Sequence, residues 1–187
     1  MKKKIIIIVA ILVAIAIVLG IILMSNKPKT NLKPIESAED LSSLIDEVYE
    51  GQEGLPSSLN TQIIDVTDAN AVQYTTGLEN GDNLQYVAVS EPMMSSQAYS
   101  FILVKVKDGV DANNIAKLMS EQVNTRKWIC VSAEKLYATS SGDIVCLVMS
   151  SEEKAKPIYE KFKTLAGTIG EEYIKTEELS ELPEELY

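Results

Sequence analysis

The sequence predicts an α+β domain preceded by an N-terminal transmembrane helix. Three observations lead to this fold class: a long uncharged run near the N-terminus, two successive patterns of strand, strand and helix, and continuous apolar runs in the strands. The two β-β-α units should form a four-stranded, mainly antiparallel sheet with their two helices on one face. The chain has 187 residues and no histidine, which excludes catalytic triads and zinc sites that need imidazole.

The predicted transmembrane segment is an uncharged run from Ile5 to Met24. At about 1.5 Å per residue, a helix of this length spans roughly 30 Å, the thickness of the hydrocarbon core of a bilayer. We therefore interpret residues 1–24 as a signal-anchor through which the chain binds the membrane. A cleaved signal peptide is the alternative, but its apolar region usually has only about 7 to 15 residues. No cysteine lies near the end of the run, which excludes a lipid-modified N-terminal cysteine.

Lysine flanks this run on both sides, with three residues before it and three after it. The positive charges alone therefore leave the orientation nearly balanced. The short basic segment before the run is typical of the n-region of an exported protein. We expect a single-pass protein of the cell membrane, with a cytoplasmic N-terminus and an extracytoplasmic C-terminal domain.

Three segments follow the predicted span. Residues 25–36 contain two prolines and few apolar residues, which is typical of an extended linker. Residues 37–170 form the predicted domain, and residues 171–187 form an acidic tail or an added edge element. All 27 acidic residues lie from Glu36 onward. Six of the 17 basic residues precede Glu36, which leaves 11 basic residues and a net charge of −16 in this part of the chain. Nucleic acid is therefore not an expected partner.

The first helix of the domain has the clearest local signals. Ser37 and Asp40 have the spacing of a capping box, and Gly51 supplies a stop. Apolar residues recur on one face of this helix: Leu41, Leu44, Ile45 and Val48. After it, residues 62–66 are compatible with a short strand and residues 68–74 with one or two helical turns.

The first β-β-α unit has predicted strands over 84–90 and 98–107, joined by a loop over 91–97. Asp111 then caps a helix whose apolar positions are Ile115, Leu118, Met119 and Val123. The second unit has predicted strands over 136–140 and 144–149.

The helix of the second unit ends at Gly167. Pro157 lies too deep in this helix for a start at Ser151. We therefore expect a kink or a delayed start near Lys156.

The strands contain continuous apolar runs at 101–104 and 144–149, where a half-exposed strand would alternate. Both faces of the sheet should therefore be buried. One face takes the two helices of the β-β-α units. The other face needs the first helix, residues 60–80 or another protein.

The sequence contains only weak indications of catalytic residues. The pattern Ser-x-x-Lys, which occurs in penicillin-binding proteins and serine β-lactamases, is found at Ser151 to Lys154. The same pattern occurs at Ser132 to Lys135, which shows that it arises easily by chance. The Ser-Asp-Asn and Lys-Thr-Gly motifs that accompany it in those enzymes are absent from the sequence. Adjacent glutamates do not converge on one substrate atom, and no calcium-binding loop is present. We therefore expect no catalytic residue, no metal site and no cofactor.

Both cysteines lie in apolar, strand-like runs. A hairpin about Gly142 places Cys146 opposite the neighbourhood of Tyr137 and not opposite Cys130. Buried free thiols are therefore preferred over a disulfide, although an oxidising compartment would permit pairing. Trp128 is interpreted as a core residue.

The loop over 91–97 is the candidate interaction site, with Pro92, Met93 and Met94 as its residues. Flexible thioethers at a hairpin tip suit adaptable contacts with a partner. The alternative is that the loop folds back and buries both methionines.

From about Ile63 to Gly167, the order of elements resembles a family of Gram-positive bacterial extracytoplasmic proteins of unknown function. The most specific stretches are FILVKVKDG at 101–109 and GDIVCLVM at 142–149. The resemblance implies a small α+β domain behind a lipoprotein signal or a membrane anchor. It supplies no catalytic or binding residues, and this chain lacks the acylated cysteine of the lipoprotein members.

These observations together predict a membrane-anchored interaction or accessory module of the cell envelope that acts on another envelope protein. The alternative is a sensor of a small ligand or peptide, which should have an apolar cavity between sheet and helices. An enzyme of unrecognised type is the third possibility.

Overall fold

The computed structural model of the protein describes residues 30–94 and 96–177. The predicted span from Ile5 to Met24 lies outside these residues. None of the helices in the described ranges combines the length and the hydropathy needed to cross a bilayer.

The described residues form an α+β fold of four helices and six strands. The helices are α1 (Ala38–Tyr49), α2 (Ala69–Thr76), α3 (Ala112–Gln122) and α4 (Glu152–Ala166). The strands are β1 (Leu59–Ile64), β2 (Leu84–Pro92), β3 (Ser100–Val106), β4 (Lys135–Ser141), β5 (Ile144–Ser150) and β6 (Tyr173–Thr176).

All six strands belong to one antiparallel sheet, in the order β1-β2-β3-β5-β4-β6. The prediction of four strands is therefore wrong, because each of the two hairpins gains an outer neighbour. β1 begins at Leu59, three residues before the predicted strand at 62–66. β6 pairs with β4, with Tyr173 opposite Ala138, so the start of the predicted acidic tail is an edge strand.

The two helices of the β-β-α units lie on opposite faces of the sheet, and the prediction that they share one face is wrong. One face, which carries Val104 and Leu147, packs against α2 and α3. The other face, which carries Leu103 and Cys146, packs against α1 and α4. Alternate residues of a strand point to opposite faces, and the central strands are apolar on both. Their pattern therefore does not determine which face a following helix covers.

Helix α1 agrees with its prediction in detail. Ser37 is the N-cap and accepts a hydrogen bond from Asp40 N, while the Asp40 carboxylate accepts from Ser37 N. The four predicted apolar residues are all buried. Helix α4 differs, because it begins at Glu152 and continues through Pro157. The predicted delayed start near Lys156 is therefore wrong.

Residues 30–36, the second half of the predicted linker, pack against the domain. We call them the N-terminal strap. Asn31 N donates to Ala166 O at 2.9 Å, and Tyr86 Oη donates to Glu36 O at 3.0 Å. Ile35 is buried against the face that α1 and α4 cover.

The antiparallel arrangement gives the sheet two distinct ends. The proximal end holds the start of β2, the end of β3 and the β4–β5 turn, and Thr30 Oγ1 lies there, 2.8 Å from Ser141 Oγ. The distal end holds Pro92, Ser100, Lys135 and Ser150. At about 3.3 Å per residue, the nine residues of β2 separate the two ends by roughly 25 to 30 Å.

Candidate functional site at the distal end

Lys127 lies at the centre of the distal end. Its side chain is only 1% exposed, and its Nζ forms an ion pair with Glu91 Oε1 at 2.6 Å. Nζ also lies 5.0 Å from the ring centroid of Tyr74 and 5.5 Å from that of Trp128. The carboxylate and the two aromatic faces offset the loss of hydration of the ammonium. Lys127 thereby connects α2, the end of β2 and the segment that precedes β4.

Burial has the largest effect on the charges at this site. It lowers the pKa of the Lys127 ammonium, and the charge and hydrogen bond of Glu91 raise that pKa again in part. Burial, followed by the negative charge of Glu91, raises the pKa of the Tyr74 phenol. Tyr74 is therefore a neutral, amphipathic ring at physiological pH.

Four large apolar side chains are exposed where these segments meet, and we call them the distal patch. Their exposed fractions are 57% for Tyr74, 76% for Met93, 59% for Met94 and 69% for Ile129. Met93 follows Glu91 by two residues, Ile129 follows Lys127 by two residues, and the ring of Tyr74 lies against the ammonium. The four side chains thus lie on segments that Lys127 joins, and large exposed apolar groups of this kind are typical of interaction sites.

The loop that carries the two methionines is held at both of its stems. At the first stem, Met93 N donates to Ser58 O at 3.1 Å. At the second stem, Tyr99 is completely buried, and its Oη donates to Tyr49 Oη at 3.1 Å. The methionines therefore project from a fixed base, which lowers the entropy that a partner would have to remove on binding.

The sequence-predicted site residues occupy different environments. Pro92 is the last residue of β2, opposite Leu59, and is half-buried. Met93 and Met94 are exposed, so the alternative in which the loop buries them does not describe this structure. The structure adds Tyr74 and Ile129 to the surroundings of the loop.

Sequence reasoning missed the buried ammonium that joins these segments. Lysine is normally exposed, so Lys127, beside Arg126, gave no signal of burial. The adjacent Trp128 is buried as predicted, and it was the one local sign that this segment enters the core.

The two cysteines have different environments. Cys146 is a buried free thiol, as predicted, and burial raises its pKa. Cys130 is also free but exposed, so the prediction that it is buried is wrong. Its backbone has a φ of +60°, and the chain turns outward there after Trp128 has filled the core position.

In neither Ser-x-x-Lys match does the serine hydroxyl form a hydrogen bond with the lysine ammonium among the residues that the structure describes. Ser151 is the N-cap residue of α4, where its backbone begins the helix. Lys135, which would accompany Ser132, instead directs its ammonium to Thr176 Oγ1 at 2.7 Å and to Glu152 Oε2 at 3.7 Å. Over residues 30–94 and 96–177, no three acidic or cysteine side chains are placed to hold a metal ion.

A shallow groove lies between the N-terminal strap and α1. Its volume is about 200 Å³, and Leu32, Ile35, Leu44 and Leu165 provide its apolar lining. It differs from the cavity between sheet and helices that a sensor of small ligands should have. Pockets for small molecules usually measure about 300 to 1,000 Å³.

The chain matches no protein-family model, no curated protein and no solved structure. Its resemblance to Gram-positive extracytoplasmic proteins therefore stays a prediction. Any functional proposal for the chain rests on the arrangement of its own residues.

Proposed function

We propose that the protein is a membrane-anchored interaction module of the bacterial cell envelope. In this proposal, residues 5–24 span the membrane, the N-terminus is cytoplasmic and the α+β domain is extracytoplasmic. The domain binds another envelope protein through the distal patch. No cofactor or catalytic step is part of the proposal.

The observation that supports this proposal is the exposure of the distal patch at the end opposite the N-terminal strap. A tether joined to Thr30 would meet the domain at the proximal end of the sheet, roughly 25 to 30 Å from the patch. The tether therefore does not obstruct a partner that approaches Met93, Met94 and Ile129.

The two faces of the sheet are less suitable for a partner. Each is covered by two helices of the chain itself, so of the three alternatives for covering the second face, another protein is the one that loses its basis. The groove beside the strap is smaller than a typical ligand pocket, and nothing in its lining favours a small-ligand sensor.

Site-specific photocrosslinking of the full chain in intact cells tests the proposal. A photoreactive residue replaces Met94 in one variant and Ile174 in a control. Ile174 is the matched control because it is equally exposed, at 59%, but lies on the other edge of the sheet. We expect a discrete crosslinked envelope protein from position 94 that is absent from position 174.

A second substitution makes this result specific to the patch. Ile129→Ser should reduce the crosslinked product at position 94 by about tenfold, because loss of one well-packed apolar anchor costs more than 1 kcal/mol of binding. Identical products from positions 94 and 174, or a product that Ile129→Ser leaves unchanged, would refute the proposal.

A further inference from the structure

The two edge strands of the sheet differ in how they prevent pairing with another chain. β6 is only four residues long and contains Lys175, which forms an ion pair with Glu177 at 2.7 Å. Short length and charge are devices that protect an edge. β1 is six residues long, with the sequence LNTQII, and contains no charge, proline or glycine.

The outer edge of β1 also presents exposed side chains. Asn60, Gln62 and Ile63 are exposed, and Ile63 is 42% exposed. Among residues 30–94 and 96–177, β1 is hydrogen-bonded to β2 on its inner side and is the outermost strand of the sheet. Its backbone groups on the other side are therefore a template for one more strand.

We infer that β1 pairs with β1 of a second copy of the chain and forms a dimer with one continuous sheet. The strand is complementary to itself, because antiparallel pairing brings only amide, hydroxyl and aliphatic side chains together. Each domain carries a net charge of −16 from Glu36 onward. An uncharged edge is the place where two such domains can approach without facing like charges.

Symmetry restricts the register of this dimer. A twofold axis perpendicular to the sheet keeps each face of one copy continuous with the same face of the other. Residues that face each other must therefore point to the same face, so one residue lies on the axis and faces its own copy. Thr61 or Gln62 in that position gives the longest overlap, with five residues of each β1 paired. In the first register Asn60 faces Gln62 of the other copy, and in the second Gln62 faces Gln62.

The dimer has a consequence for the distal patch, which rests on the proposed function. Antiparallel β1 pairing places the two distal ends at opposite ends of a twelve-stranded sheet. The dimer would thus present two identical patches and bind two partner molecules. The inference of the dimer itself does not depend on what the patch binds.

An isosteric change of charge tests the dimer. Asn60→Asp together with Gln62→Glu brings like charges face to face in either register, and both side chains are exposed, so the fold should tolerate the change. Sedimentation equilibrium of the full chain in density-matched detergent measures association. We expect the wild type to be dimeric and the double variant to have a dissociation constant raised on the order of tenfold.

The matched control is Asn70→Asp with Gln73→Glu on the exposed side of α2, which adds the same charge away from β1. It should dimerise like the wild type. A monomeric wild type, equal weakening by both double variants, or no effect of the β1 change would each overturn the inference. The last result would assign association to another surface, such as the predicted membrane span.

A crosslink tests the register directly. The exposed Cys130 is first replaced by serine, and Thr61→Cys or Gln62→Cys is then introduced. The variant whose cysteine lies on the axis should form a disulfide-linked dimer, because the Cα atoms of that residue and its copy are about 4.5 to 5.5 Å apart. Ile174→Cys on β6 is the control. Equal yields at β1 and β6 would contradict β1 pairing.

Discussion

At the scale of single residues, the Lys127–Glu91 pair is a buried ion pair whose disruption should be costly. Glu91→Gln leaves the ammonium of Lys127, whose side chain is buried, without its carboxylate, and should lower the free energy of unfolding by about 3 kcal/mol. Glu91→Gln with Lys127→Met should lose only about 1 kcal/mol, because a thioether packs well between the rings of Tyr74 and Trp128. Urea unfolding of the full chain in detergent measures both variants.

The same unfolding measurement can contradict this role of the ion pair. If the single variant Glu91→Gln stays within about 0.5 kcal/mol of the wild type, the ion pair does not hold the distal end together. The exposed pair of Lys33 and Glu47 offers a comparison, because Glu47→Gln removes a contact at 3.4 Å between solvated groups and should cost less than about 1 kcal/mol.

At the scale of secondary-structure elements, the capping box of α1 is the clearest local determinant. Ser37→Ala removes the oxygen that accepts from Asp40 N and should lower the free energy of unfolding by about 1 kcal/mol. Ser43→Ala is the matched control, because Ser43 is exposed within the same helix and only donates back to Glu39 O. It should be neutral or slightly stabilising. Equal losses would show that the cap contributes nothing specific.

Some features of the helices and strands could be predicted from the sequence, and others could not. Local signals determine α1, the hairpin about Gly142 and the cap of α3, because each depends on residues a few positions apart. The order of the strands and the faces taken by α3 and α4 depend on contacts between distant segments. In a sheet that is apolar on both faces, several such arrangements satisfy the same pattern.

The candidate site, like the fold, depends partly on local sequence and partly on contacts between distant segments. Exposure of the methionines was one of two predicted alternatives, since a Pro-Met-Met loop is compatible with both. The burial of Lys127 was not predictable, because it depends on Glu91 and Tyr74, which lie 36 and 53 positions away in the chain. A lysine next to an arginine normally indicates a solvated surface.

At the scale of the whole molecule, the N-terminal strap should belong to the folding unit. A fragment of residues 30–177 should unfold cooperatively. A fragment of residues 37–177 should be less stable by about 2 kcal/mol or more, because it loses the buried Ile35 and the hydrogen bond between Asn31 and Ala166. Differential scanning calorimetry compares the two. Lys33→Ala in the longer fragment is the control and should change stability by less than about 0.5 kcal/mol, because Lys33 is 84% exposed.

The docked strap also determines how far the domain travels from a lipid surface. Only positions 25–29 separate the proposed span from Thr30, and five residues extend at most about 18 Å. An anchored domain would thus diffuse laterally within a thin layer above the bilayer. Confinement of this kind would raise the effective concentration of the proposed binding site for neighbours in the same membrane, so that even weak contacts at the Met93–Met94 loop would become occupied.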